Sequence, residues 1–189
     1  MQPCPTAHRL HAVWGYASSG QISDTSHFSE LFLEDAFVSD GDLVGEEGKG
    51  WGVAMTTLTA ERGGTEAITR YVDVRGDLDL LLDCCVRGPL ARARAEGLDM
   101  RLELMRWQVS KAVDHADDDV ELFRRTSILK ILWSEVWQAV TEIGVAMQCR
   151  THKQHWRNQY LETRAMSIYS GTNEIQRNII GDRVLGLPR

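Results

Sequence analysis

From Trp51 onward, apolar residues return at intervals of three and four, and that spacing admits helices and little else. Trp51, Met55, Leu58 and Arg62 fall at i, i+4, i+7 and i+11, on one helix face. Arg62 shares that apolar side, so its charge calls for a partner or a ligand; Glu66, one turn on, is the local candidate. Gly76 and the acidic residues Asp77 and Asp79 are expected to loosen the end of this helix, and Gly88-Pro89 starts the next. There Leu98, Leu102, Met105, Val109 and Ala112 form a clean stripe. Asp117-Asp118-Asp119 reads as a solvated turn that places charge at a helix start, rather than as a metal site.

A third helix is expected from about Val120 to Cys149, with Ile128, Leu132, Val136, Val140, Ile143 and Met147 on one side. Trp133 and Trp137 broaden its apolar surface; their spacing points to core or subunit-interface packing, and so much apolar surface suggests burial against another subunit. His152, His155 and Trp156 precede a shorter helix ending near Ser170. No carboxylate or cysteine completes a metal set around the two histidines, so solvated or interface histidines are expected. The fold class is therefore mainly α: an up-and-down four-helix bundle over residues 50–189, preceded by a short β remnant and linker over residues 1–49. In that leading part Ser29 to Val38 reads as strand and Ser39-Asp40-Gly41-Asp42 as turn. So little strand cannot close a sheet with its own core, and it should be poorly covered.

The net charge of −6 argues against nonspecific nucleic-acid binding. Cys4, Cys84, Cys85 and Cys149 fit neither a zinc site nor a disulfide scaffold, and no apolar run reaches membrane-spanning length; a reduced, cytoplasmic protein is expected. No glycine loop of the phosphate-binding type and no Ser/His/Asp arrangement stands out.

The last stretch carries the chemistry. Ser170-Gly171 breaks one helix, and the Thr172 hydroxyl can cap the next. Glu174 puts negative charge in its first turn, and Gly186-Leu187-Pro188 ends it. Free N–H groups beside a glycine are a natural place to hold an oxyanion or a phosphate. Ile168-Tyr169-x-Gly171-Thr172-x-Glu174-Ile175-Gln176-Arg177, followed by Ile179-Ile180 and Leu185-Gly186, resembles the C-terminal signature of the acyl-CoA dehydrogenase family. Leu43-Val44-Gly45-Glu46-Glu47-Gly48-Lys49-Gly50-Trp51 is similar to that family's link into its C-terminal helices, and Phe37-Val38-Ser39 to the end of its middle β domain without the usual proline. The resemblance spans about residues 28–189 and implies the C-terminal portion of such an enzyme.

The resemblance implies FAD-dependent α,β-dehydrogenation of an acyl-CoA thioester, with a homo- or heterotetramer and an electron-transfer flavoprotein as acceptor. A carboxylate takes the α proton while the β hydrogen leaves as hydride to the flavin. The family's commoner base position falls on Ser170, which cannot serve as the base; its backbone N–H can still bond the thioester oxygen. The family's second base position falls on Glu61, which makes Glu61 the candidate base. Arg62, Ser170 and Gly171 then map onto substrate-binding positions, and Thr172 and Glu174 onto positions that touch FAD. Two FAD-diphosphate segments are replaced, by Val74-Arg75-Gly76-Asp77-Leu78 and by Thr141-Glu142-Ile143-Gly144-Val145-Ala146-Met147. The alternative reading is a non-catalytic helical subunit that oligomerises or supports a partner; acyl-CoA oxidase and nitroalkane-oxidase-like relatives share the fold.

Overall fold

The computed structural model describes residues 9–11, 15–32, 35–37, 39–60, 65–85, 88–147 and 151–188. The chain divides into two compact units, Met1–Thr57 and Leu58–Arg189.

In the first unit β2 (Gly15–Ser19) pairs antiparallel with β3 (Phe28–Phe32), from Gly15 opposite Phe32 to Ser19 opposite Phe28. β1 (Arg9–His11) pairs in the same sense with β4 (Asp35–Phe37). Both faces of β3 are open to solvent, including Phe28, Leu31 and Phe32. Among the described side chains of this unit only Ser23 is buried, so the ribbon stands on its backbone ladder rather than on a core.

α1 (Gly50–Ala60) spans the junction of the units. Its start corrects an expectation: Trp51 is 78% exposed rather than packed. Amphipathic spacing specifies a face, and a face is buried only where something covers it.

The second unit is built from α2 (Thr65–Leu80), α3 (Pro89–Asp114), α4 (Asp119–Ala146), α5 (Lys153–Met166) and α6 (Asn173–Ile179). α2 to α5 form the expected bundle around α4. Cross-links at Arg101–Glu135 and Arg125–Gln108 make α3 and α4 antiparallel, and Gln138–Thr163 with Gly144–Trp156 do the same for α4 and α5. Arg70 over Trp133 and Trp137 bonded to Asp77 set α2 parallel to α4, as diagonal members of an up-and-down bundle are. The core is continuous, from Val74, Leu78 and Leu81 through Leu98, Leu102 and Met105 to Leu129, Val136, Val140 and Trp156.

Three details correct the sequence reading. Gly76 does not loosen α2: the helix runs on to Leu80 and then into a π-helical turn, Leu81–Cys85. Burial of Val74, Leu78 and Leu81 outweighs the roughly 1 kcal/mol a mid-helix glycine costs. Trp133 and Trp137 are buried inside this chain's own core rather than held out for another subunit. His155 is half-exposed but not merely solvated: Asp77, itself buried, accepts from its Nε2 at 2.7 Å and from Trp137 Nε1 at 2.6 Å. This three-way bond ties α2, α4 and α5 together. Glu66 bonds Arg70 at 2.7 Å, while Arg62, its expected partner, lies outside the described residues.

The solvated aspartate turn is as expected: Asp118 caps α4 by accepting from Val120 N and Glu121 N. Gly144 lets α5 approach, since a Cβ there would lie 2.3 Å from the Trp156 ring. No described helix is long and apolar enough to cross a membrane.

Candidate functional site

The turn between α5 and α6 is assembled from local conformation and then fixed from below. Ser170 and Gly171 both take positive φ, +54° and +84°. For glycine that is free; for serine it is a strained choice that surrounding structure must hold. Three bonds hold it. Asn173 N donates to Ser167 O at 3.0 Å across the turn, Gln176 Nε2 donates to Ser170 O at 3.3 Å, and Thr172 Oγ1 caps α6 by accepting from Ile175 N at 3.2 Å. With the chain so turned, the N–H groups of Ser170, Gly171 and Thr172 donate to nothing among the described residues.

Beneath the turn, α4 supplies a polar knot. Lys130, 1% exposed, donates from Nζ to Asn173 Oδ1 at 2.7 Å. Ser134, one helical turn on, bonds the same Asn173 amide twice, at 3.2 and 3.0 Å. Asn173 is buried and sits at the first residue of α6, so the knot fixes where that helix begins. Gln176 is fully buried, and its Oε1 has no hydrogen-bond partner among the described residues. On the flank, Tyr169 lies against Trp133 with ring centroids 6.1 Å apart, and Arg70 of α2 stands 5.3 Å from the Trp133 centroid. Burial pushes the Tyr169 phenol above its usual pKa, with Arg70 opposing. α2 therefore starts at the same end of the bundle as the turn.

Glu174 is exposed, and its carboxyl is held below the usual range by its own backbone N–H and then by the Thr172 hydroxyl. Arg177 reaches Glu135 of α4, which Arg101 of α3 also bonds, at 3.0 Å. A groove of about 560 Å³ runs along α6 and the returning tail, lined by Ile175, Arg177, Asn178, Arg183, Leu187 and Pro188; it includes none of residues 170–172.

Of the residues picked from sequence, Ser170, Gly171, Thr172 and Glu174 form one continuous turn and helix start. Glu61 and Arg62 lie outside the described residues; α2 begins four positions after Glu61. Lys130, Ser134 and Asn173 were missed. The available signal was a lysine and a serine four apart within an apolar helix, which demands buried partners. Among the described residues no His/Cys/Asp/Glu group could hold a metal ion. The segments 74–78 and 141–147 lie in α2 and at the end of α4, where Val74 and Leu78 fill the core and Gly144 receives Trp156.

Residues 48–185 match a family model described as acyl-CoA dehydrogenase, C-terminal domain. A Mycolicibacterium smegmatis protein named acyl-CoA dehydrogenase IpdE1 is 36% identical over 181 residues, covering 89% of this chain and 45% of that protein. Bovine mitochondrial short-chain specific acyl-CoA dehydrogenase is 26% identical, with 85% and 42% covered. The solved butyryl-CoA dehydrogenase of Megasphaera elsdenii superposes with a TM-score of 0.71 at 25% identity, over 90% of this chain and 48% of that one. A structure described as an FAD-dependent dehydrogenase gives 0.79 at 17% identity, over 92% and 50%. The chain spans about half the length of the relatives it matches.

Proposed function

The chain belongs to the acyl-CoA dehydrogenase family, whose cofactor is FAD, and from that premise we propose that it acts in α,β-dehydrogenation of an acyl-CoA thioester. The observation that carries the reading is the set of N–H groups at Ser170, Gly171 and Thr172 that donate to nothing among the described residues. Such donors fit an electron-rich carbonyl edge, whether of a thioester or of a flavin, and they are fixed before a ligand arrives.

In this reading Glu61 takes the α proton onto its carboxylate as the Cα–H bond breaks. The Ser170 N–H donates to the thioester oxygen, where the negative charge collects. The β hydrogen leaves with its electron pair, and the α–β double bond forms. FAD, when bound, supplies the hydride acceptor. Arg62 and Gly171 line the thioester, while Thr172 and Glu174 sit against the cofactor. Support for Glu61 comes from its nearness in sequence to the start of α2, which lies at the turn's end of the bundle. Residues 1–49 read as the end of a middle β domain with its linker, residues 50–189 as the C-terminal helical domain. A homo- or heterotetramer in the cytoplasm, passing electrons to an electron-transfer flavoprotein, completes the proposal.

One observation favours a second reading, a non-catalytic helical subunit. The segments that should grip the FAD diphosphate serve the core through Val74, Leu78 and Gly144. Absorbance separates the two. With added FAD, the chain or its assembly should show bound flavin that acyl-CoA bleaches, and Glu61→Gln should abolish the bleaching while leaving the flavin bound. A chain that binds no flavin supports the second reading, and bleaching unchanged in Glu61→Gln removes Glu61 as base.

A further inference from the structure

At the turn's end of the bundle, Arg70 is buried more deeply than its bonding explains. Its side chain is 25% exposed, and its guanidinium lies over two core indoles, 5.3 Å from the Trp133 ring centre and 6.0 Å from that of Trp137. Glu66, one turn earlier on α2, accepts from Nε at 2.7 Å. Neither Nη1 nor Nη2 donates to anything among the described residues. Arg75, Arg125 and Arg164, with side chains a third exposed or less, each set both Nη groups on oxygen acceptors. A cation taken so far out of water calls for acceptors, and indole faces satisfy the flat of a guanidinium but not its N–H edge. That edge stays accessible: the buried side-chain atoms without a partner among the described residues are Arg125 Nε and Gln176 Oε1.

The unused edge stands close to the turn. Tyr169 immediately precedes Ser170, and its ring packs on Trp133, the same indole that Arg70 covers. Arg70 is the strongest charge acting on the Tyr169 phenol, followed by Glu66 and Glu162. A molecule held by its carbonyl at the Ser170 N–H and lying along those rings therefore follows an apolar path that ends on two N–H donors. Charge balance says which acceptor suits them. Glu66 already neutralises Arg70, and Glu162 adds a second carboxylate nearby. A third carboxylate would meet repulsion and lose its own hydration, whereas an uncharged oxygen accepts from the guanidinium without either cost.

We infer that Arg70 selects the acyl group: its Nη donors bind an uncharged oxygen, a ketone or a hydroxyl, at the end of the acyl chain remote from the thioester. The inference rests on the dehydrogenase reading, which puts the thioester at Ser170, and adds to it the class of substrate.

The test compares three probes of one chain length, hexanoyl-CoA, 5-oxohexanoyl-CoA and adipoyl-CoA, which end in a methyl group, a methyl ketone and a carboxylate. Their Kd values are read by calorimetry on the chain or its assembly before FAD is added, so that the thioester stays intact, and the same ranking should appear in kcat/KM once FAD is bound. The ketone is expected to bind about tenfold more tightly than hexanoyl-CoA. Arg70→Met, which keeps a stem over the indoles and removes the donors, should abolish that advantage and leave hexanoyl-CoA unchanged. Glu66→Gln, at an exposed carboxylate, gives a second reading that does not depend on how Arg70→Met folds. It removes the balancing charge and should improve adipoyl-CoA about threefold relative to hexanoyl-CoA. Hexanoyl-CoA binding as tightly as the ketone, or an order of probes that neither variant alters, overturns the inference and leaves the dehydrogenase reading in place. Adipoyl-CoA leading in the unsubstituted chain overturns the uncharged class. Neither binding nor turnover of any probe overturns both readings.

Discussion

The β2–β3 ribbon and the turn into α6 are both short and both sharply bent, yet they are held in opposite ways. The ribbon's reversal is fastened by its own neighbours, with Gln21 N bonded to Thr25 O, Asp24 N to Gln21 O and the Ser23 and Thr25 hydroxyls to each other. Its side chains face solvent on both sides. The α5–α6 turn is fastened by residues forty or so positions away in sequence, Lys130 and Ser134, which reach up from α4 to Asn173. The first device gives a shape at little cost and little rigidity. The second uses a buried lysine and a strained serine, and it leaves three N–H donors unused among the described residues.

This contrast can be broken in graded steps. Asn173→Leu removes the amide that accepts from both Lys130 Nζ and Ser134 Oγ and should cost about 3 kcal/mol of unfolding free energy, read by urea denaturation. The ribbon's backbone pairing should not respond to it. Gly144→Ala drives a methyl into the Trp156 ring and should cost about 1–3 kcal/mol, with loss of near-ultraviolet circular dichroism from that tryptophan. Thr172→Ala removes the α6 cap and should cost about 1 kcal/mol, with faster amide exchange at Ile175. Leu31→Ser, on the open ribbon, should change stability by no more than about 0.5 kcal/mol.

Acid should act on the turn through Glu174. Its carboxyl titrates below its unfolded value, so the helix-start contribution is complete above the ordinary carboxylate range. That contribution fades as pH falls through the lowered value. Amide exchange at the start of α6 should quicken in that acid window, and Glu174→Gln should remove the dependence.

Local rules made part of this legible in the sequence. The α3 core stripe, the Asp118 cap, the Thr172 cap and the positive φ of Gly186 each follow from residues within one or two turns. Bonds that span long separations left no such trace. Asp77 meets Trp137 sixty residues on and His155 seventy-eight residues on, and read locally it was a helix breaker. Lys130 looked like one more residue of an apolar helix until Asn173 was placed above it. Trp51 shows the reverse limit, a helix face correctly spaced and still exposed.

The measurement that tests the central claim most directly is residue-resolved amide hydrogen exchange of the free chain. The account predicts that Gln176, whose N–H bonds Thr172 O at 2.9 Å, exchanges as slowly as the α4 core, while Ser170, Gly171 and Thr172 exchange quickly beside it and the ribbon is fast throughout. Protection at Ser170 to Thr172 in the free chain would contradict it, because those donors would already be in use. Exchange at Gln176 as fast as in the ribbon would contradict it too, because the turn would not be fixed in advance.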